Sequence, residues 1–273
     1  MTVEKEGQIR EIVDQNFSKF AEKIKTRHIS ELNNANGAIN KKQNNVFIKE
    51  LGFEFMFYSA FMRSFDSALG SVLEEMGRQI AGISYEVYGT IESFILPAQL
   101  SKIQELIDSY STDAKNRVKP EVWHYSSFDC LTPKNLESFY RIHHTDNYFK
   151  SKEKNENYII ELKAGGDLDN KKAVAEKKEI LTEYFLLKNK LGRDANIKAF
   201  FGTAYNKDGE GNVWRQASVR NCFSDDELLI GKDYWNFICD DMDGYSIVLD
   251  QYAKSAHYLT EAVQKIKEAY MAF

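Results

Sequence analysis

The chain alternates between long stretches of helical hydrophobic period and short apolar runs of strand length. Over residues 4–26, Ile9, Ile12, Val13, Phe17, Phe20 and Ile24 fall on one stripe, which predicts an amphipathic helix. His28–Asn45 is polar and holds Asn-Asn-Ala-Asn-Gly, the composition of a loop. Val46–Ala81 is strongly apolar and free of proline, and predicts one long buried helix with a break near Gly52 or Ser64. Within it, Gly70 costs helix propensity and is expected to permit close packing. Tyr85–Ile95 reads as a strand, and Ala98–Tyr110 as a helix striped by Leu100, Ile103, Leu106 and Ile107. Thr132-Pro133 reads as the N-cap and first residue of a short helix through Tyr140. Two strands follow, Asp146–Lys150 and Tyr158–Lys163, joined by the polar turn Ser151–Asn157. A helix from about Asn170 to Lys190 stops at Gly192, and Ile197–Tyr205 is the next strand. Leu228–Cys239 is an aromatic core segment. Val248–Phe273 closes the chain as a helix with Ala253, Ala256, Leu259, Val263, Ile266 and Tyr270 on its apolar side.

The richest chemistry lies in Tyr158–Lys172. Tyr158, Ile159 and Ile160 form a short run of β-formers that ends in Glu161-Leu162-Lys163. Side chains on a strand alternate, so Glu161 and Lys163 share a face. An acid and a lysine there are costly to bury unless paired or holding a metal. A carboxylate for a hard cation beside an ammonium for a phosphate or a water suits phosphodiester hydrolysis. The turn near Lys154 sets Asp146 opposite Glu161 or Leu162, although a one-residue slip would turn it to the other face. Ser67, Gly70 and Glu74 share a helix face, which makes Glu74 a candidate third carboxylate, and Glu176 can face the same site.

The 273 residues allow one large domain, and 18 Phe with 15 Tyr supply a sizeable core. The three cysteines, Cys130, Cys222 and Cys239, are odd in number and far apart, which points to small buried side chains in a cytoplasmic protein. No apolar run reaches membrane-spanning length. A net charge of −5 argues against blanket nucleic-acid affinity but not against a local basic cleft. Glu161–Arg220 carries 12 Lys/Arg against 9 Asp/Glu, whereas Asn221–Asp250 carries 1 against 8, so the charges are segregated. Lys171 and Lys172 open the helix after the hairpin. Trp214–Arg220 offers Arg215 and Arg220 as guanine readers and Gln216 as an adenine reader. His143-His144 lack the later asparagine and histidine of a ββα metal site and read as supporting or loop residues.

Asp146, then Glu161-Leu162-Lys163 on a hairpin, then a helix and a strand, resembles the PD-(D/E)xK nuclease pattern, with Thr145 where a proline usually stands. The wider run T-D-N-Y-F…Y-I-I-E-L-K-A-G-G-D-L-D-N-K-K-A, followed by F-F-G-T-A-Y-N-K and L-I-G-K-D-Y-W-N-F-I, resembles the TdeIII type of type II restriction endonuclease over roughly residues 50–250. Ser67–Glu74, S-x-x-G-x-x-x-E, fits the same group. The resemblance implies an α/β (α+β) fold: a restriction-endonuclease-like core with a mixed central sheet flanked by helices, and helical N- and C-terminal extensions. It implies a single nuclease domain, with an extension over 1–45, a catalytic core over 46–205 and a DNA-recognition segment with the last helix over 206–273. It further implies Mg²⁺ held by Asp146, Glu161, Glu74 and the Leu162 carbonyl, with Lys163 as the catalytic lysine. Double-stranded DNA cut at GGNCC by a homodimer follows from the same resemblance. A PD-(D/E)xK nuclease of repair or another defence system, and a DNA-binding module without turnover, are the alternatives.

Overall fold

The computed structural model describes residues 1–112, 115–128 and 139–272, apart from the side chain of Asp146. The chain divides into two compact units, Met1–Ile80 with Ser246–Phe273, and Ala81–Tyr245.

The first unit is helical. Helix α1 (Val3–Ser30) starts where the Thr2 hydroxyl accepts the Lys5 N–H at 3.2 Å. It buries Ile9, Val13, Phe17, Phe20 and Ile24, the stripe that the sequence predicts. The helix runs on to Ser30, so the predicted loop begins later, and a 3-10 turn at Asn40–Asn44 interrupts it. The long apolar stretch is broken at Gly52, whose φ of 94° is left-handed, into α2 (Val46–Glu50) and α3 (Phe53–Ser84). It is not buried throughout: Phe47, Leu51 and Phe55 are exposed. Nor does Gly70 mediate close packing, because a Cβ built there meets nothing within 4 Å. Phe57, Ala60 and Phe61 of α3 pack with Phe20 and Ile24, and with Ile266 and Tyr270 of α9 (Gly244–Met271). Ala253 of α9, expected in its apolar stripe, is exposed, while Ser255 is buried and donates to Asp14 Oδ1 at 2.7 Å.

Among the described residues, the second unit holds a five-stranded mixed sheet in the order β1 (Tyr85–Ile95), β2 (Phe139–Ser151), β3 (Glu156–Lys163), β4 (Asn196–Thr203), β5 (Leu228–Ile230). The first three strands are antiparallel neighbours, and the last three are parallel. Helix α4 (Pro97–Ser111) starts with proline in its first turn, and the Gln99 side chain accepts the Leu96 N–H at 3.0 Å. Residues 139 and 140, predicted to end a helix, begin β2 instead. The rest of that predicted helix, from Thr132, lies outside the described residues, as does Cys130. The parallel β3–β4 pair needs a crossover, and α6 (Asn170–Leu191) supplies it, capped by Asp169, which accepts the Lys172 N–H at 2.8 Å. Helices α4 and α6 cover one face of the sheet through Ile103, Ile107, Ile180, Leu181, Tyr184 and Ile159. Helix α8 (Lys232–Cys239) covers the other, where Phe237 meets the rings of Tyr85 and Tyr158. Two single-turn helices, α5 (Trp123–Ser126) and α7 (Ala217–Arg220), lie in the connections.

Candidate active site

Strand β3 is central, flanked by β2 and β4, and its last residues carry the acid–lysine pair. The pleat sends Leu162 into the layer of Ile160 and Tyr234, where it is buried. Glu161 and Lys163 take the opposite face, toward α6. Lys163 Nζ is hydrogen-bonded to the Glu161 carboxylate and lies 3.3 Å from Glu176 Oε1 of α6. The Glu161 side chain is 12% exposed and that of Lys163 28%, so the pair is partly sheltered yet open to a ligand. Two glycines let the chain leave β3 across the end of β4. A Cβ at Gly165 would enter the Tyr205 ring, and one at Gly166, with φ 66°, would meet Thr203 Cγ2 at 2.6 Å.

The β2–β3 register is Tyr148 with Ile159, Phe149 with Tyr158 and Lys150 with Asn157. The pairing ends at Tyr148–Ile159, two residues short of position 146. Beyond it, Asn147 Nδ2 donates to the Ile160 carbonyl at 3.3 Å. The side chain of Asp146 lies outside the described residues. The backbone around it is irregular. Between the pairs Tyr88–Tyr148 and Thr90–His144, three residues of β2, Thr145, Asp146 and Asn147, stand against Gly89 alone. Such a bulge re-aims side chains. Tyr148 lies in the core on the α6 side, and Thr145 within the bulge and His143 beyond it face α6 as well, so strict alternation fails at this point.

There, His143 Nε2 lies 3.0 Å from Glu183 Oε1 and 3.7 Å from Glu179 Oε2, and Thr145 Oγ1 donates to Glu183 Oε2 at 3.0 Å. The hydrogen bond to Glu183 holds the His143 imidazole above its usual range, with burial working against it. The sequence reading missed this pairing, although Glu176, Glu179 and Glu183 at i, i+3 and i+7 were visible as one face of α6. His143 and His144 both stand on β2 rather than in a loop.

The remaining candidates are spread out. Glu74 lies on α3, in the first unit. Lys171 and Lys172 are exposed on the first turn of α6. Arg215 is exposed, with its backbone N–H held by Asp208 Oδ2 at 2.7 Å. Arg220 donates to the Trp214 carbonyl at 3.2 Å and to Asp225 Oδ1 at 2.5 Å. Gln216 donates to the Leu168 carbonyl at 2.6 Å and accepts from Lys207, so its amide is occupied within the fold. Among the described residues, no three His, Cys, Asp or Glu side chains are grouped to hold a metal ion, and no helix is long and apolar enough to cross a membrane.

A mixed sheet flanked by helices, with an acid and a lysine at the end of its central strand, is consistent with the restriction-endonuclease-like fold class. Residues 5–256 match the family described as type II restriction endonuclease, HinfI, and the chain belongs to that family. It is therefore a site-specific deoxyribonuclease with DNA as its substrate. A comparison with curated proteins gave no match.

Proposed function

We propose that this enzyme cuts both strands of DNA through a PD-(D/E)xK-type centre made of Asp146, Glu161 and Lys163. The observation that carries the reading is the Glu161–Lys163–Glu176 cluster at the end of the central strand. The donor set fits Mg²⁺. Glu161 and the adjacent Leu162 carbonyl offer hard oxygens, and the described cysteines, Cys222 and Cys239, are buried. Asp146, Glu161 and the Leu162 carbonyl would hold the ion. When bound, it supplies Lewis acidity at the phosphoryl oxygen and an activated water. Lys163, steadied by Glu176, then orients the attacking water and balances the negative charge that develops on the phosphate. Glu74 is a further carboxylate of the reaction in this reading, and Glu74→Gln then lowers cutting without lowering Tm.

The target is a short two-fold-symmetric site. GGNCC is the candidate, taken from the TdeIII-type resemblance alone, since the matching family is that of HinfI. A homodimer serves such a site most simply, one centre per strand. Exposed apolar side chains at Phe47, Leu51 and Phe55 support a second copy as their cover. Lys171 and Lys172 contact phosphates in this reading, and Arg215 is the better placed base reader, because Arg220 is engaged by Trp214 and Asp225. The test is a digest of supercoiled plasmid with Mg²⁺, its ends sequenced. Discrete bands that begin at one symmetric site support the reading. A smear favours a structure-selective nuclease, and binding without cutting favours a module. Arg215→Ala should cost about 1–3 kcal/mol of discrimination if it reads a base, and weaken all sequences evenly if it touches phosphate.

A further inference from the structure

A groove of about 620 Å³ runs between α1 and α3, entirely within the first unit. Its α1 wall carries Lys19, Lys23 and Arg27, one turn apart along a single line. Lys42, from the 3-10 turn, and Arg63, from α3, add two more cations, and among the described residues Glu75 is the sole acid lining it. The chain as a whole is acidic, at −5, so five cations against one acid is a local reversal of sign. Arg27 is 3.3 Å from Glu31. Lys19, Lys23, Lys42 and Arg63 make no ion pair among the described residues, which leaves four cations for an external anion. The α3 wall presents hydroxyls from Ser67 and Ser71, one turn apart, while the Ser64 hydroxyl beside them is buried. The floor is apolar, with Phe20 and Ile24 buried.

We propose that this groove grips the phosphate backbone of double-stranded DNA. Lysine, arginine and serine side chains are the groups that position a duplex without reading its sequence. From Lys19 to Arg27 the α1 cations span about 12 Å at 1.5 Å per residue. A B-DNA strand presents a phosphate about every 3.4 Å of axis, so such a row faces several phosphates. No acid intervenes on that wall. The inference rests on reading the chain as an enzyme that acts on DNA, and it assigns the helical unit the task of anchoring the duplex. Ser67, one residue of the S-x-x-G-x-x-x-E element, becomes a phosphate-facing hydroxyl in this view.

The experiment measures affinity for a fluorescein-labelled duplex without Mg²⁺, across a series of salt concentrations, for wild type and for the triple variant K19Q/K23Q/R63Q. Each lost phosphate contact should flatten the slope of log affinity against log salt by about 0.9. The triple variant should bind at least tenfold more weakly, with a slope reduced by 2 or more, and with its preferred cleavage sequence unchanged. Because these side chains are exposed, its circular dichroism and Tm should match wild type. A second measurement uses the wild-type protein alone: acetylation of Lys19, Lys23 and Lys42 read by mass spectrometry, with and without duplex. Protection by duplex supports the clamp. Equal labelling, or protection by phosphatidylserine vesicles and not by duplex, overturns it. Wild type that binds duplex while the triple variant keeps its affinity and slope overturns the clamp but leaves the nuclease reading intact. Wild type that neither binds nor cuts DNA defeats that reading itself, and the clamp with it.

Discussion

Glu176 and Lys177 are neighbours on α6, yet they serve two different charge clusters. Glu176 turns toward Lys163 and Glu161, where the side chains are between 12% and 28% exposed. Lys177 turns inward, fully buried, 2.5 Å from Glu227 Oε1. Glu227 also accepts from the Tyr125 hydroxyl at 2.7 Å and from the Ser224 N–H and hydroxyl at 2.9 and 3.0 Å. Lys177 Nζ further lies 4.7 Å from the centre of the Phe223 ring. Burial pushes the Lys177 ammonium below its usual range, and Glu227 counters that push. The buried cluster is closed: its acceptors meet internal donors, and no ligand can enter. The cluster on β3 is partly open, so its charges can be transferred to a substrate. One acid–lysine pair per environment teaches that burial, more than residue type, separates a structural pair from a reactive one.

The largest expected effects lie at the two ends of this comparison. Glu161→Ala or Lys163→Ala should reduce plasmid cleavage by about 10³-fold, the scale of losing a group that stabilises the transition state. Neither should change Tm by more than a degree or two. Asp146→Ala should behave in the same way. Wild-type cutting by any one of the three removes that residue from the centre. Lys177→Ala should do the reverse. It strands a buried carboxylate and should cost about 3–5 kcal/mol, visible as a fall in the urea midpoint. Lys177→Met with Glu227→Gln removes the buried charge and should restore part of that loss: the amide oxygen still accepts from Tyr125, while its NH₂ replaces the oxygen that accepts the Ser224 N–H. A double variant no more stable than Lys177→Ala would break the account of a stranded charge.

A smaller effect sharpens the boundary between the clusters. Glu176→Gln keeps the volume and removes the charge beside Lys163. Cleavage should fall about tenfold, as expected when one charge-assisted hydrogen bond to a catalytic group is lost. Stability should stay within about 0.5 kcal/mol, as for most half-exposed substitutions. Unaltered cleavage would assign Glu176 to surface structure, with Lys163 ordered by Glu161 alone.

Much of this arrangement was legible in the sequence. Tyr158-Ile159-Ile160 are β-formers in a run too short for a helix, and β3 begins within two residues of the expected start. The apolar side of Ala173, Val174, Leu181, Tyr184, Phe185 and Leu187, with Gly192 as the stop, places α6, and its observed span is Asn170–Leu191. The facing of Glu161 and Lys163 then followed from the pleat alone. What was not legible depends on partners distant in the chain. The bulge at Thr145–Asn147 depends on how β1 lies against β2, and hydrophobic pattern carries no record of it. Glu227 is 50 residues from Lys177, and nothing local marks either as buried. Phe47, Leu51 and Phe55 read as core because composition cannot tell a core from an exposed apolar surface. Arg220 and Gln216 read as free base readers because their internal partners, Asp225 and Leu168, are set by loop geometry.

The smallest effect concerns pH and tests whether the open face of α6 is electrostatically continuous. His143 is paired with Glu183, with Glu179 nearby on α6 and Arg141 acting in the opposite sense on its own strand. Its folded-state pKa is raised above the ordinary value of 6.5. A raised pKa means that the folded protein binds the proton more tightly than the unfolded chain. The stabilisation is therefore fully present below pH 6.5 and is lost as pH rises through the higher folded value. Replacing His143 with Gln should cost about 1 kcal/mol at pH 6, within the range for a hydrogen bond to a charged group. The difference between the two proteins should shrink steadily above neutrality. Urea unfolding at several pH values checks this, and the His143 ring proton signals in an NMR titration should move above pH 6.5. A stability gap that widens with alkalinity would mean that the imidazole is neutral in the fold, and that Glu183 is held by Thr145 instead.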